Sequence, residues 1–104
     1  MPNITDTLNQ RKNVHGDYCQ AALIKDDILQ VLSNETTTYS CMGPVGRETI
    51  RMIVEKLGRI AGGDWHFVDH WHDIAGYATL MVEYLERNSL KEPIVPPMNY
   101  EEGA

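Results

Sequence analysis

The fold is decided by the stretch Asp69-His-Trp-His-Asp-Ile-Ala-Gly-Tyr-Ala78, which opens a helix predicted to run to about Arg87. When successive residues are placed about 100° apart on a helical wheel, an apolar arc about 120° wide becomes visible. An arc of this width is typical of the helix face that packs into a protein core. The residues of the arc are Trp71, Ile74, Ala75, Ala78, Met81, Val82 and Leu85.

The opposite side of this helix carries a second stripe, in which two carboxylates are followed by aromatic and apolar residues. Gly76 lies within the stripe, and a glycine in mid-helix costs about 1 kcal/mol relative to alanine. We therefore expect a backbone, a ligand or a partner helix to approach closely there, so that the helix is covered on both sides. The stripe consists of Asp69, Asp73, Tyr77, Leu80 and Tyr84.

Two further helices are predicted earlier in the chain. Asp17 and Gln20 form an Asp-x-x-Gln capping box, which marks the start of the first helix. Pro44 is a good first-turn residue for the second helix. No stretch has the period-2 alternation of a strand, so the sequence predicts an all-α domain that is completed as a bundle by oligomerisation. The three main helices are predicted over 17–32, 45–61 and 68–87.

The remaining segments lack helical periodicity. Residues 1–16 are predicted as an N-terminal arm, or alternatively as a short irregular helix, before the helical domain of residues 17–87. Residues 88–104 are predicted as an extended acidic tail that contains proline. Residues 33–43 are rich in Ser, Thr and Asn, which favours a loop with no part in the core. Such a loop is a candidate lid that orders when a ligand binds.

Composition limits the classes of partner. The chain has 104 residues, enough for one domain, and a net charge of −6, so it lacks the clustered cations that long nucleic acid requires. A small anionic ligand is compatible with this charge. No apolar run approaches the ~20 residues of a membrane span. Cys19 and Cys41 have no metal-finger or CxxC spacing, which favours a reducing cytoplasm.

The chain carries three motifs in order: His15-Gly-Asp-Tyr18, Glu48-Thr-Ile-Arg-Met-Ile-Val-Glu-Lys-Leu-Gly-Arg-Ile60 followed by Gly62, and Asp69-x-Trp71-x-Asp73-Ile-Ala-Gly-Tyr-Ala78. In sequence and order these motifs resemble those of a family of small phage and prophage proteins with no assigned activity. The resemblance covers about residues 11–87 and is similar, more distantly, to the MazG-like all-α nucleoside triphosphate pyrophosphohydrolases. It implies a phage-type protein that acts on nucleotides in the cytoplasm of the host cell.

The MazG-like class holds Mg²⁺ with acidic residues on two neighbouring helices, and the resemblance implies the same role here. Asp69 and Asp73 take the place of the second acidic motif, at i, i+4 instead of i, i+3, and Glu55 is the only acid left of the first. These three residues are the predicted Mg²⁺ ligands and catalytic residues. Lys56 and Arg59 are predicted to contact phosphates, or alternatively to neutralise the two aspartates in a buried ion-pair network. The other substrate-binding candidates are Tyr77, His15 and Asp17.

Two function hypotheses follow. The first is a Mg²⁺-dependent nucleotide pyrophosphohydrolase. The second is a non-catalytic binder that sequesters a nucleotide, a nucleotide-derived signal or a host protein, as a phage would use against host defence. A weaker alternative is a Zn²⁺ or Mn²⁺ site at His66, Asp69, His70 and Asp73. In each case we expect a homodimer or a higher homo-oligomer, because three helices with a two-faced third leave apolar surface uncovered.

Overall fold

The computed structural model describes residues 3–88, which contain five helices and, within that range, no strand. The predicted all-α class is confirmed. The central helix is α4, which packs against α2, α5 and α1. None of the helices in the described range is long and apolar enough to cross a membrane. The helices are α1 (Ile4–His15), α2 (Tyr18–Glu35), α3 (Thr38–Cys41), α4 (Pro44–Gly62) and α5 (Val68–Asn88).

The local signals at the predicted helix starts are confirmed. The Asp17 carboxylate caps α2 by accepting a hydrogen bond from the Gln20 backbone N–H at 3.0 Å. Pro44 occupies the first turn of α4, where a backbone N–H has no partner within the helix, so the lack of an N–H in proline costs no hydrogen bond. Of the predicted tail, Asn88 is the last residue of α5, and residues 89–104 lie outside the described range.

The N-terminal segment differs from the predicted arm, because most of it forms α1. Asn3 caps this helix by accepting from the Asp6 backbone N–H at 2.9 Å. At the other end of α1 the Val14 carbonyl accepts a hydrogen bond from the Asp64 backbone N–H at 3.0 Å, which connects α1 to the segment after α4. No residue of α1 is buried, so its sequence lacks the strong apolar period that would have predicted a helix.

Three glycines allow two connections to lie in backbone contact, and we call Gly16, Gly62 and Gly63 the glycine joint. Gly16 has φ +83°, and a Cβ built there would lie 2.9 Å from the carbonyl carbon and oxygen of Gly62. A Cβ on Gly63 would lie 2.5 Å from the Val14 carbonyl oxygen. The joint therefore brings the end of α4 against the connection between α1 and α2.

The predicted loop over residues 33–43 also differs from the structure. The last three residues of α2 extend into it, and α3 forms one turn within it. Tyr39 on α3 is buried, so the expectation that this segment contributes nothing to the core is wrong. A single aromatic residue in a polar run has no periodicity to reveal it. The role of the segment as a lid stays a prediction.

Helix α5 packs on α4 through a face that lies between the two predicted stripes and takes residues from both. Half-buried Tyr77 and Met81 belong to it, and Met81 Sδ accepts a hydrogen bond from the Thr49 hydroxyl of α4 at 3.5 Å. In the predicted core arc, Trp71, Val82 and Leu85 stay 48%, 53% and 55% exposed. The predicted arc is therefore only partly correct for an isolated chain, because its members Ile74 and Met81 are half-buried while the rest of the arc faces away from α4.

The predicted close approach at Gly76 is also wrong within the single chain. A Cβ built on Gly76 meets nothing within 4 Å. The side of α5 that carries Asp73 and Leu80 is open in the same way, because both residues are exposed. Nothing in the described chain thus requires glycine at this position.

Candidate functional site

A cleft between α1, α2 and α4 is the candidate site. Its volume is about 470 Å³, which lies in the range of roughly 300–1,000 Å³ of small-molecule sites. We call it the α1–α2–α4 cleft. It ends against the glycine joint, because Gly16 is part of its lining.

The walls of the cleft come from one face of each helix. On α1 and on α2 the lining residues recur at i, i+3, i+4 and i+7, the spacing that keeps side chains on one side of a helix. From α1 these residues are Leu8, Arg11, Lys12 and His15, from α2 they are Tyr18, Ala21, Ala22 and Lys25, and α4 adds Glu55 and Arg59.

A carboxylate joins two cations within the cleft. Glu55 Oε1 accepts from Lys25 Nζ at 3.0 Å, and Glu55 Oε2 accepts from the Arg59 guanidinium at 3.1 Å. All three side chains are partly buried. The hydrogen bond from Lys25 is the main cause of the lowered pKa of Glu55, and the positive charges of Lys25 and Arg59 act in the same direction. Glu55 is therefore a carboxylate at neutral pH.

A pair of histidines joins the cleft to α5. His15 Nδ1 and His70 Nε2 lie 3.2 Å apart, so one ring donates and the other accepts. His70 is only 2% exposed and is also packed edge-on against Phe67. Burial is the main cause of the lowered pKa of His15, followed by the charges of His70 and Arg59. The His15 ring is therefore mostly neutral at pH 7 and adds little to the charge of the cleft.

Between α4 and α5 the predicted site residues form an ion pair. Lys56 Nζ lies 2.9 Å from Asp73 Oδ2, with the Lys56 side chain 13% exposed and the Asp73 side chain 49% exposed. The hydrogen bond and charge of Lys56 lower the pKa of Asp73. Asp69 is exposed one turn earlier. This arrangement matches the ion-pair alternative for Lys56, with Asp73 as its partner.

The structure separates the residues that the sequence had grouped. Glu55 and Arg59 line the cleft with His15 and Asp17, whereas the other four candidates lie between α4 and α5 or on the surface of α5. Sequence reasoning missed the contribution of α1 and of the charged side of α2. The only available signal was the shared helical spacing around the His15-Gly-Asp-Tyr18 motif. The candidates outside the cleft are Lys56, Asp69, Asp73 and Tyr77, and the missed cations inside it are Arg11, Lys12 and Lys25.

The donor set does not fit the predicted Mg²⁺. Both oxygens of Glu55 accept from cations, and an oxygen of Asp73 accepts from Lys56. Across residues 3–88 no group of three or more His, Cys, Asp or Glu side chains is arranged to hold a metal ion. The alternative Zn²⁺ or Mn²⁺ site that includes His66 and His70 is therefore not formed within this range either. A hard cation would have to displace these ammonium and guanidinium groups to reach the carboxylates.

Comparisons of the chain with protein-family models, with curated proteins and with solved structures found no match.

Proposed function

We propose that the protein binds a small phosphorylated molecule of the nucleotide class in the α1–α2–α4 cleft, without hydrolysing it. The observation that carries this proposal is the charge of the cleft. The whole chain has a net charge of −6, yet four cations and two carboxylates line the cleft, an excess of two positive charges. A concave cationic surface on an acidic protein concentrates anions locally. The charged lining residues are Arg11, Lys12, Lys25, Arg59, Asp17 and Glu55.

The shape of the lining supports a ligand with two chemically different ends. Tyr18 is exposed and presents an aromatic ring at the start of α2, and Leu8 adds apolar surface from α1. Lys25 lies seven residues further along α2, about 10 Å away along the helix axis. A nucleotide can reach both, because its base stacks on an aromatic ring while its sugar carries the phosphate away from the base.

Binding without hydrolysis is favoured by the ion pairs of the acidic residues. Catalysis by the pyrophosphohydrolase mechanism requires free carboxylates that clamp Mg²⁺, and here Glu55 and Asp73 are held by cations. The proposed protein is thus the sequestering alternative of the phage-type resemblance, acting on a nucleotide or a nucleotide-derived signal in the host cytoplasm.

The first test is thermal stabilisation by nucleotides in the presence of EDTA. A ligand at 100 times its Kd should raise the free energy of unfolding by roughly 2.7 kcal/mol, and we expect AMP or ATP to do so without Mg²⁺. Arg59→Met should abolish the effect. Arg51→Met is the matched control, since Arg51 pairs with Glu48 at 2.8 Å outside the cleft lining. Stabilisation that requires Mg²⁺ would refute metal-free binding and favour the hydrolase.

We also propose that the chain functions as a homodimer through a stripe on α5. The α5 stripe has members three or four residues apart, the spacing of a coiled-coil seam, and every member is exposed. In an antiparallel pair the stripe matches itself, with Trp71 opposite the second copy's Val82 and Ala75 opposite the second copy's Ala78. This self-complementarity is what a two-fold interface requires. The stripe consists of Val68, Trp71, Ala75, Ala78, Val82 and Leu85.

The area of the stripe is sufficient for a second copy. Only three apolar side chains, Tyr39, Val54 and Ile60, are buried among residues 3–88. The stripe presents roughly 400–500 Å² per chain, because its one aromatic and three aliphatic large side chains are each about half exposed. Two copies would therefore bury about 800–1,000 Å² in total, which is the size of a weak dimer interface.

Sedimentation should give a mass twice the 11.8 kDa of the chain at tens of micromolar. Ala78→Glu places a charge in the middle of the stripe and should produce monomers. Leu80→Glu is the matched control, because Leu80 is exposed on the opposite side of α5 and should leave the dimer intact. An 11.8 kDa species in the wild type would contradict the proposal.

A further inference from the structure

The contacts of Glu55 place an anion between two cations from different helices. Lys25 belongs to α2 and Arg59 to α4, and each donates to a different oxygen of the same carboxylate, at 3.0 and 3.1 Å. A phosphate group is bound in the same way, with separate oxygens accepting from an ammonium and a guanidinium. The two oxygens of the Glu55 carboxylate are therefore bound in the way that two oxygens of a phosphate group would be bound.

We infer that Lys25 and Arg59 form the subsite for the ligand's phosphate and that Glu55 occupies this subsite as an internal competitor when the ligand is absent. The inference rests on the proposed function, because it assigns the anionic end of the same ligand. On binding, both cations exchange the carboxylate for phosphate oxygens. The Glu55 side chain keeps 28% of its surface exposed, so the released carboxylate can turn towards water.

The exchange determines the class of ligand. Glu55 brings one negative charge to Lys25 and Arg59, so a phosphodiester with one charge gains little by replacing it. A terminal phosphomonoester or a pyrophosphate group brings close to two charges or more and more oxygen acceptors. The subsite thus selects nucleotides that end in a phosphomonoester or polyphosphate over cyclic mononucleotides.

The test compares inorganic pyrophosphate and ADP by calorimetric titration of the wild type and Glu55→Gln. Glutamine keeps the shape but removes the charge that holds the two cations, so pyrophosphate should bind roughly tenfold more tightly to the variant. Lys25→Met should weaken binding. The matched control is Glu48→Gln, which removes a carboxylate paired with Arg51 outside the cleft and should leave the pyrophosphate Kd unchanged.

Unchanged or weaker pyrophosphate binding by folded Glu55→Gln would overturn the inference. If the variant does not fold, the side-chain carboxyl ¹³C resonance of Glu55 in the wild type decides. It should shift when pyrophosphate removes its cation partners, and a constant resonance during binding would also overturn the inference. If pyrophosphate behaves as expected but ADP, which carries the same group, binds no more tightly than pyrophosphate, the nucleotide proposal fails while the phosphate subsite stands.

Discussion

Gly63→Ala should lower the free energy of unfolding by about 3 kcal/mol or more, at the upper end of overpacking effects. The new Cβ would lie 2.5 Å from the Val14 carbonyl oxygen, 2.7 Å from the Gly16 backbone nitrogen and 2.8 Å from the Arg59 carbonyl oxygen. All three are backbone atoms, so no flexible side chain can move aside. The glycine joint must therefore open, which separates α1 from the end of α4. Urea unfolding at fixed protein concentration measures the change.

The matched control is Gly76→Ala, the same added methyl group on the same chain. Nothing lies within 4 Å of a Cβ on Gly76, and its position in the middle of α5 makes alanine the better helix former by about 1 kcal/mol. We expect this variant to be more stable than the wild type. A stable Gly63→Ala protein would contradict the close packing of the joint, and a destabilised Gly76→Ala protein would indicate a partner close to that side of α5.

The helices that the sequence predicted correctly have strong local signals. Asp17 and Pro44 mark helix starts that depend only on neighbouring residues, and the all-α class follows from them. Helix α1 lacked such a signal, since none of its residues is buried and its position depends on backbone contacts with residues 62–64. Contacts between segments about 50 residues apart leave no local periodicity in either segment.

The site was only half predictable for the same reason. Glu55 and Arg59 were identified from a motif, but their cleft exists only because the glycine joint brings α1 and α2 against α4. Lys25 on α2 reads as an ordinary solvated charge in sequence, and only its 3.0 Å contact with Glu55 gives it a role. Charged residues on an amphipathic helix have no pattern that separates a site from a solvated surface.

Asp73→Asn should lower the melting temperature at pH 7 in the absence of any metal. The change removes the charge that pairs with Lys56, whose side chain is only 13% exposed, and an enclosed ammonium without a carboxylate is costly. Lys56→Met removes the cation instead and should destabilise less, because a buried ion pair can be replaced by apolar packing at little cost. Differential scanning calorimetry of the two variants measures the contrast.

The pH dependence of the Asp73→Asn effect has a definite sign. Lys56 lowers the pKa of Asp73 from its ordinary value of 3.8, so the folded protein binds this proton less readily than the unfolded chain. The stabilisation is therefore complete above pH 3.8 and disappears as the pH falls through the lowered pKa. The wild type and the variant should differ at pH 7 and converge in strong acid.

Comparing Asp69→Asn with Asp73→Asn distinguishes an ion pair at Asp73 from the predicted metal site. If Asp69 and Asp73 are Mg²⁺ ligands, both variants should lose a Mg²⁺-dependent nucleotide response and both should keep their melting temperatures. If Asp73 is instead the ion-pair partner of Lys56, Asp73→Asn should melt well below Asp69→Asn, since exposed Asp69 contributes only about 0.3–1 kcal/mol through the helix dipole. Equal melting of both variants with loss of the Mg²⁺ response would restore the hydrolase hypothesis. Early melting of Asp73→Asn alone would establish that this aspartate stabilises the contact between α4 and α5.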